Sequence, residues 1–234
     1  MKKQDLIFIL ALLVIFLPFV FFKQAYDFLF DPKTGMNTMH PLLVAFFKFF
    51  VLATMGEMLG LRIKTGKYHT PGFGIFPRAV VWGILGVMIA AAFIIFDGGT
   101  MLFAKKVYKM SDPQAFMSGA LGVQKILLAF SISTFLNVFF APMFMTLHKI
   151  TDTHILQNGG KFKSIYTPIK FEQIITTMNW KVQWSFVFKK TIPMFWIPAQ
   201  TINFCFAPQY RVLNAAILSI VLGVILAIAN MKKD

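Results

Sequence analysis

The chain has one cysteine, Cys205, so it can form no internal disulfide and holds no Cys-x-x-Cys metal or redox motif. In its apolar setting that thiol reads as a small hydrophobe. Acidic residues are scarce too: nine Asp and Glu stand against 23 Lys and Arg in 234 residues, and 14% of the chain is charged. Soluble domains carry about a quarter charged residues, so that class is excluded. There is no nucleophile elbow, phosphate-binding loop or dinucleotide fingerprint, no tandem repeat and no second, soluble domain. Nothing supports an enzyme, and no catalytic residue, cofactor or metal is expected.

What is abundant is apolar. Hydrophobic residues make up 57% of the chain, with 29 Phe and a mean hydropathy of +0.69. Repeated apolar runs of about 20 residues match the length that a bilayer core demands. The pattern predicts an all-α, multi-pass transmembrane helix bundle built as one integral membrane domain. Candidate spans are 6–22, 41–61, 77–96, 115–147, 191–208 and 212–229, which makes six crossings, or five if 191–208 does not cross fully. The first run has the layout of a signal peptide but is long for one, and no small-x-small site follows it, so it reads as an uncleaved span. Run 115–147 exceeds the need of a bilayer and should project beyond it or bend near Asn137 and Pro142. Residues 148–190, with Trp180, Lys181 and Trp184, read as an amphipathic connection at headgroup level.

The net charge of +14 lies mostly between the apolar runs. That is the arrangement of the positive-inside rule and of contact with anionic lipid, rather than of nucleic-acid binding. With six crossings and both termini inside, inside segments hold 15 basic residues and outside segments hold 6. The Lys-, Ile- and Phe-rich composition, without an Arg- and Ser-rich transit peptide or a peroxisomal C-terminal address, favours a bacterial inner membrane.

Polar residues inside apolar runs are the candidates for function, because each needs a partner or water there. The stretch 191–211 combines Pro193, Pro198 and Pro208 with Gln200 and Asn203. As a helix it sets Trp196, Gln200, Asn203 and Ala207 on one face. Two readings fit these amides: glue between helices, or the lining of a solute path. Glu57 carries a proton or acts as counter-ion to Arg62, Arg78 or a lysine. It sits within Gly56-x-x-x-Gly60, a spacing that admits close helix contact. Lys48 and Lys125 fall in the outer half of their runs, where they would draw anions into a shared lumen or snorkel to headgroups. His148, Asp152 and His154 lack a further ligand at a diagnostic spacing, so no metal is expected there.

Trp196, Gln200, Asn203-Phe204, Pro208 and Arg211 resemble the C-terminal signature of the Mpv-seventeen and peroxisomal membrane protein twenty-two family, Trp-Pro-x-x-Gln-x-x-Asn-Phe-x-x-x-Pro and then Arg. His40-Pro41-Leu42-Leu43, followed by Gly56-Glu57, is similar to that family's opening helix, where a Pro leads into Gly-Asp. The chain departs from the pattern at Ile197, at Leu61, in the spacing of Arg211 and in its last span, which lacks the closing Trp and Tyr-Leu-Ser. The resemblance implies a bundle of at least four helices, a mitochondrial inner-membrane or peroxisomal setting in eukaryotic members, and a weakly selective channel for small solutes. Homo-oligomers are compatible with it. Two other functions fit the residues: a non-transporting scaffold that binds lipid or partners through its basic face, and a proton-coupled transporter using Glu57.

Overall fold

A computed structural model describes residues 3–231, with side chains described through residue 224. Lys2, Lys232 and Lys233, which enter the charge count above, lie outside the described residues. Among those described, 82% are helical and none forms a strand. The chain runs through α1 (Lys3–Phe21), α2 (Lys23–Phe30), α3 (Met36–Met39), α4 (Pro41–Thr65), α5 (Ile75–Lys106), α6 (Pro113–Ser118), α7 (Val123–Phe135), α8 (Ala141–Gln157), α9 (Phe171–Thr177), α10 (Trp180–Val182), α11 (Ile197–Cys205) and α12 (Pro208–Met231). Among the described residues four helices are long and apolar enough to cross a membrane: Lys3–Phe21, Pro41–Thr65, Ile75–Lys106 and Val123–Gln157. Pro208–Val224 is a shorter apolar helix.

Proline and glycine set most of the boundaries. Pro41, Pro113 and Pro208 stand at or next to helix starts, where a missing N–H costs nothing. α7 and α8 form one continuous helix through a π turn, Leu136–Phe140, just before Pro142. An α-helical turn there would press the proline ring on the carbonyl four residues back, and one inserted residue relieves it. The widened turn falls where the sequence suggests a break. A second π segment, Gln183–Trp196, contains Pro193 and joins α10 to α11, so the helix is unbroken from Trp180 to Cys205.

Boundaries therefore differ from those read in the sequence. Residues 115–122 leave the long helix as α6 and a turn, whereas 148–157 extend it, because no breaker occurs before Asn158-Gly159-Gly160. Only the middle of 148–190 leaves the long helices, holding a 3-10 turn at Phe162–Ile165 and the short α9; its last residues already belong to the helix that carries 191–205. α5 likewise continues past 96 to Lys106.

The core arrangement is a ring of helices. α4 packs along both α5 and α12; α7 and α8 pack on α5; α11 packs on α7 and the Gln183–Trp196 segment on α8; α11 meets α12 at their shared junction. In lipid the hydrophobic effect does not drive helices together, so close van der Waals contact must. Gly86 supplies it on α5, where an added Cβ would stand 2.6 Å from the Cβ of Phe49 and 2.8 Å from the carbonyl oxygen of Ala45. Gly56 meets Ile220 of α12 in the same way, at 2.8 Å. The connections dock as tightly: Gly74 and Gly160, both with φ above +60°, lie backbone against backbone, and a Cβ on Gly160 would reach within 2.5 Å of the Gly72 oxygen. Gly86→Val is accordingly expected to cost about 1–3 kcal/mol of overpacking. Gly98→Ala, which meets nothing within 4 Å, should be neutral or stabilising by up to about 1 kcal/mol. Unfolding in mixed micelles by increasing SDS separates the two.

α1 stands apart. None of its residues is buried, and it is held by Arg62, whose Nε and Nη2 donate to the Asp5 carboxylate at 2.8 and 3.0 Å, and by Phe8 stacked on Tyr68.

Candidate functional site

The ring is solid at one end and hollow at the other. Phe49, Leu128, Ile132, Phe204 and Ala216 are completely buried in the core, with the Phe204 ring 5.3 Å from the Arg211 guanidinium at the solid end. Toward the opposite end a cavity of about 510 Å³ opens between α4, α5, the α7–α8 helix, the Gln183–Trp196 segment and α12. That volume lies within the ~300–1,000 Å³ typical of small-molecule sites.

Its walls are mainly aromatic and aliphatic, with Ile89, Phe93, Leu136, Phe140 and Phe144 prominent. The polar groups are few. Asn137, Thr191, Trp196 and Gln200 line the cavity, Ser219 stands on α12 next to Ile220, which meets Gly56, and Gln183 begins the segment that carries Thr191 and Trp196. Asn137 donates to the Ser133 oxygen at 2.9 Å, and the Ser133 hydroxyl donates to the Ile197 oxygen at 2.7 Å, tying α7 to α11. Gln183 Nε2 and Trp196 Nε1 are buried atoms with no hydrogen-bond partner. The π geometry explains how one segment serves the cavity along its length. A wider turn of between four and five residues keeps Gln183, Val187, Thr191 and Trp196 on a single face.

The mouth is built around Arg78. This residue is the fourth of α5 and 7% exposed. Its Nη1 donates to Glu57 Oε2 at 2.5 Å and pairs with Asp152 of α8; its Nε donates to the Phe73 oxygen at 2.6 Å, and the guanidinium lies 4.6 Å from the Phe73 ring. Trp82 Nε1 donates to Glu57 Oε1 at 2.9 Å, and His148 Nε2 lies 3.2 Å from the same oxygen. The imidazole also rests on the Trp82 ring at 4.4 Å. One guanidinium thus compensates two carboxylates from different helices, which a charge in this setting requires. Lys64 and Lys149, both exposed and without ion-pair partners among the described residues, complete the rim.

Arg211 forms a second assembly of the same make at the other end. It too is the fourth residue of its helix, and its Nε donates to the oxygen of a phenylalanine five residues back, Phe206, at 3.0 Å. Its guanidinium lies 5.3 Å from the Phe204 ring and its Nη1 donates to Asp97 Oδ2 of α5 at 2.9 Å. Asn203 donates to Gln200 Oε1 at 2.8 Å and to the Arg211 oxygen at 3.0 Å. Arg78 and Asp97 are 19 residues apart on α5, so about 28 Å at 1.5 Å per residue separates the two assemblies, close to the ~30 Å of a hydrocarbon core. The lining ends at Ala53, Phe93, Gln200 and Ala215, short of Phe49, Phe204 and Arg211. The cavity does not traverse the bundle.

Several residues singled out in the sequence meet here and others do not. Glu57, Asn137, Trp196, Gln200 and Gly56 line the cavity; Asn203, Phe204 and Arg211 lie behind its closed end. Pro41 opens α4, and Pro208 opens α12. Lys48 is buried away from the cavity, donating to Asn37 Oδ1 at 2.5 Å, with its Nζ 5.3 Å from the Phe30 ring. Lys125 is exposed and donates to the Gly119 oxygen at 2.9 Å. The two lysines share no lumen. His148 and Asp152 join the Glu57 network, while His154 bonds the Ser164 oxygen at 3.0 Å. Their i, i+4 spacing on one helix face is the signal that could have placed the first two together. Among the described residues no group of three or more His, Cys, Asp or Glu side chains is placed to hold a metal ion.

Comparison with family models, with curated proteins and with solved structures finds no match for this chain.

Proposed function

We propose that this chain is a six-crossing membrane protein that passes small solutes through the chamber between the two arginine assemblies. The observation that carries the reading is the chamber itself: a mainly apolar cavity with a few unpartnered polar groups, open past Lys64 and Lys149 and closed by buried Phe204 and the Arg211–Asp97 pair. Passage then requires that the Arg211 end opens, so the reading is a gated path rather than a standing pore. The fifth crossing in chain order is the helix from Trp180 to Cys205, whose direction alternates with those of α8 and α12, the fourth and sixth, when both termini lie inside. The Glu57 end is then the inner one, and a bacterial inner membrane fits the charge distribution. The resemblance to the Mpv-seventeen family points the same way, toward a weakly selective channel.

Solute efflux from liposomes containing the purified protein tests this. Ser219 faces the chamber, and its hydroxyl bonds only the Ala215 oxygen of its own helix. Ser219→Phe should therefore fill the path without disturbing the bundle, and efflux should fall at least about tenfold. Wild-type protein that releases no solute across varied pH and voltage would move the assignment to a lipid- or partner-binding scaffold.

A further inference from the structure

The ring of helices has a gap. α12 packs along α4 and meets α11, and the Gln183–Trp196 segment packs on α8, on the Leu136–Phe140 turn and on α11. Among the described residues α12 and this segment do not pack along each other, yet both wall the chamber, with Ser219, Leu222 and Gly223 on one side and Phe186 and Val187 on the other. They are linked at the closed end through α11, which continues the segment and meets α12. The chamber is thus slit lengthwise toward the surrounding lipid, and Phe186, an apolar side chain at the slit, is 41% exposed.

Charge at the slit's wide end has one sign to spare. Glu57 and Asp152 are both held by Arg78, and His148 faces Glu57, whereas Lys64 and Lys149 have no counter-ion among the described residues. Gln183, 6% exposed, lies in the same wall with its Nε2 donor unpartnered. A buried donor with no acceptor costs free energy that a ligand oxygen would recover. Beyond these groups the walls are mainly aromatic and aliphatic, with Asn137, Thr191 and Ser219 the polar side chains before Trp196, whose free N–H leaves one donor for a water.

From the lateral slit, the unpaired lysines and the unpartnered Gln183 amide, we infer that the chamber binds an anionic acyl amphiphile. Its carboxylate or phosphate head lies at Lys64, Lys149 and Gln183, its chain passes Phe140 and Phe144 toward Trp196, and it enters sideways from the bilayer. This rests on reading the chamber as the solute site and names the class of solute. An aqueous pore for small hydrophilic ions would not need an apolar wall or a gap facing lipid. A neutral lipid would leave the two lysines without a role.

Trp82 and Trp196 line the chamber and report on it, whereas Trp180 and Trp184 are exposed on the outer surface. In detergent-solubilised protein carrying Trp180→Phe and Trp184→Phe, bromine on an acyl chain should quench the remaining indoles saturably. Three probes separate the sources: dibromostearic acid, dibromostearyl alcohol and dibrominated phosphatidylglycerol. Saturable quenching by the acid, the phospholipid or both is expected, and the arm that saturates names the source. The alcohol should bind at least about tenfold more weakly, and Lys64→Gln with Lys149→Gln should weaken the anionic probe roughly tenfold, the effect of losing two partly exposed ion pairs. Ser219→Phe should remove the quenching while gel-filtration elution stays unchanged. Quenching equal for alcohol and acid, indifferent to the lysines, or retained in Ser219→Phe would overturn the inference. Saturable anionic binding without any solute efflux would sink the passage reading alone, and efflux without quenching would sink only the assignment of the ligand.

Discussion

Arg78→Met should destabilise the bundle by about 2–4 kcal/mol, toward the cost of leaving a carboxylate without its cation but reduced because Glu57 and Asp152 are only partly buried. The side chain is 7% exposed and is the cation that both Glu57 and Asp152 face at the mouth. Removing it also strips the Phe73 oxygen of its donor. The loss is one of uncompensated charge, so it should be recoverable. Glu57→Gln and Asp152→Asn added to Arg78→Met should restore most of the stability, because a neutral network has little desolvation to repay. Equilibrium unfolding by SDS in mixed micelles reads both changes. A loss below about 1 kcal/mol, or a triple variant no better than the single one, would show that water reaches these groups freely and that the mouth is not a built ion network.

Asp97→Asn should have the larger effect on passage. The Arg211–Asp97 pair closes the end of the chamber that the lining residues do not reach, and Asp97 Oδ1 is a buried atom with no hydrogen-bond partner. Neutralising the carboxylate removes attraction that exists only in the closed arrangement, and about 1.4 kcal/mol of it shifts the open population tenfold. Solute efflux should therefore rise about tenfold or more, and Ser219→Phe in the same chain should abolish the gain. Efflux unchanged in Asp97→Asn with the block by Ser219→Phe intact would place the closure elsewhere, at the Phe93–Phe204 contact, whose ring centroids are 5.0 Å apart.

What could be read from residues alone follows from range. Apolar runs declare a membrane bundle because hydropathy is summed locally, and the four membrane-length helices agree with that class. A charge within such a run declares that it needs a partner. Glu57 did so, with Arg78 among its candidates, but only the packing of α4, α5 and α8 decides that Arg78, Trp82, His148 and Asp152 all converge on it. The same logic misleads for Lys48 and Lys125. Their depth in the chain says that each must be satisfied, and Asn37 and the Gly119 oxygen satisfy them locally, without a lumen. Segment 180–190 reads as interfacial because its aromatics and lysines alternate, yet it starts the helix that walls the chamber. Its π geometry changes which residues share a face, and no periodicity based on 3.6 residues per turn would reveal that. The likeness between the Arg78 and Arg211 assemblies is also hidden from the sequence, since their carboxylates come from elsewhere in the chain.

One-sided access is the centre of the account, and a single thiol tests it. With Cys205→Ala removing the native cysteine and Gln200→Cys placing a thiol at the deepest polar wall of the chamber, membrane-impermeant methanethiosulfonate reagents can be applied from either side of oriented vesicles. The account predicts modification from the Glu57 side only, and from both sides once Asp97→Asn is added. Modification from neither side, or from both sides while the Arg211–Asp97 pair is intact, would contradict it.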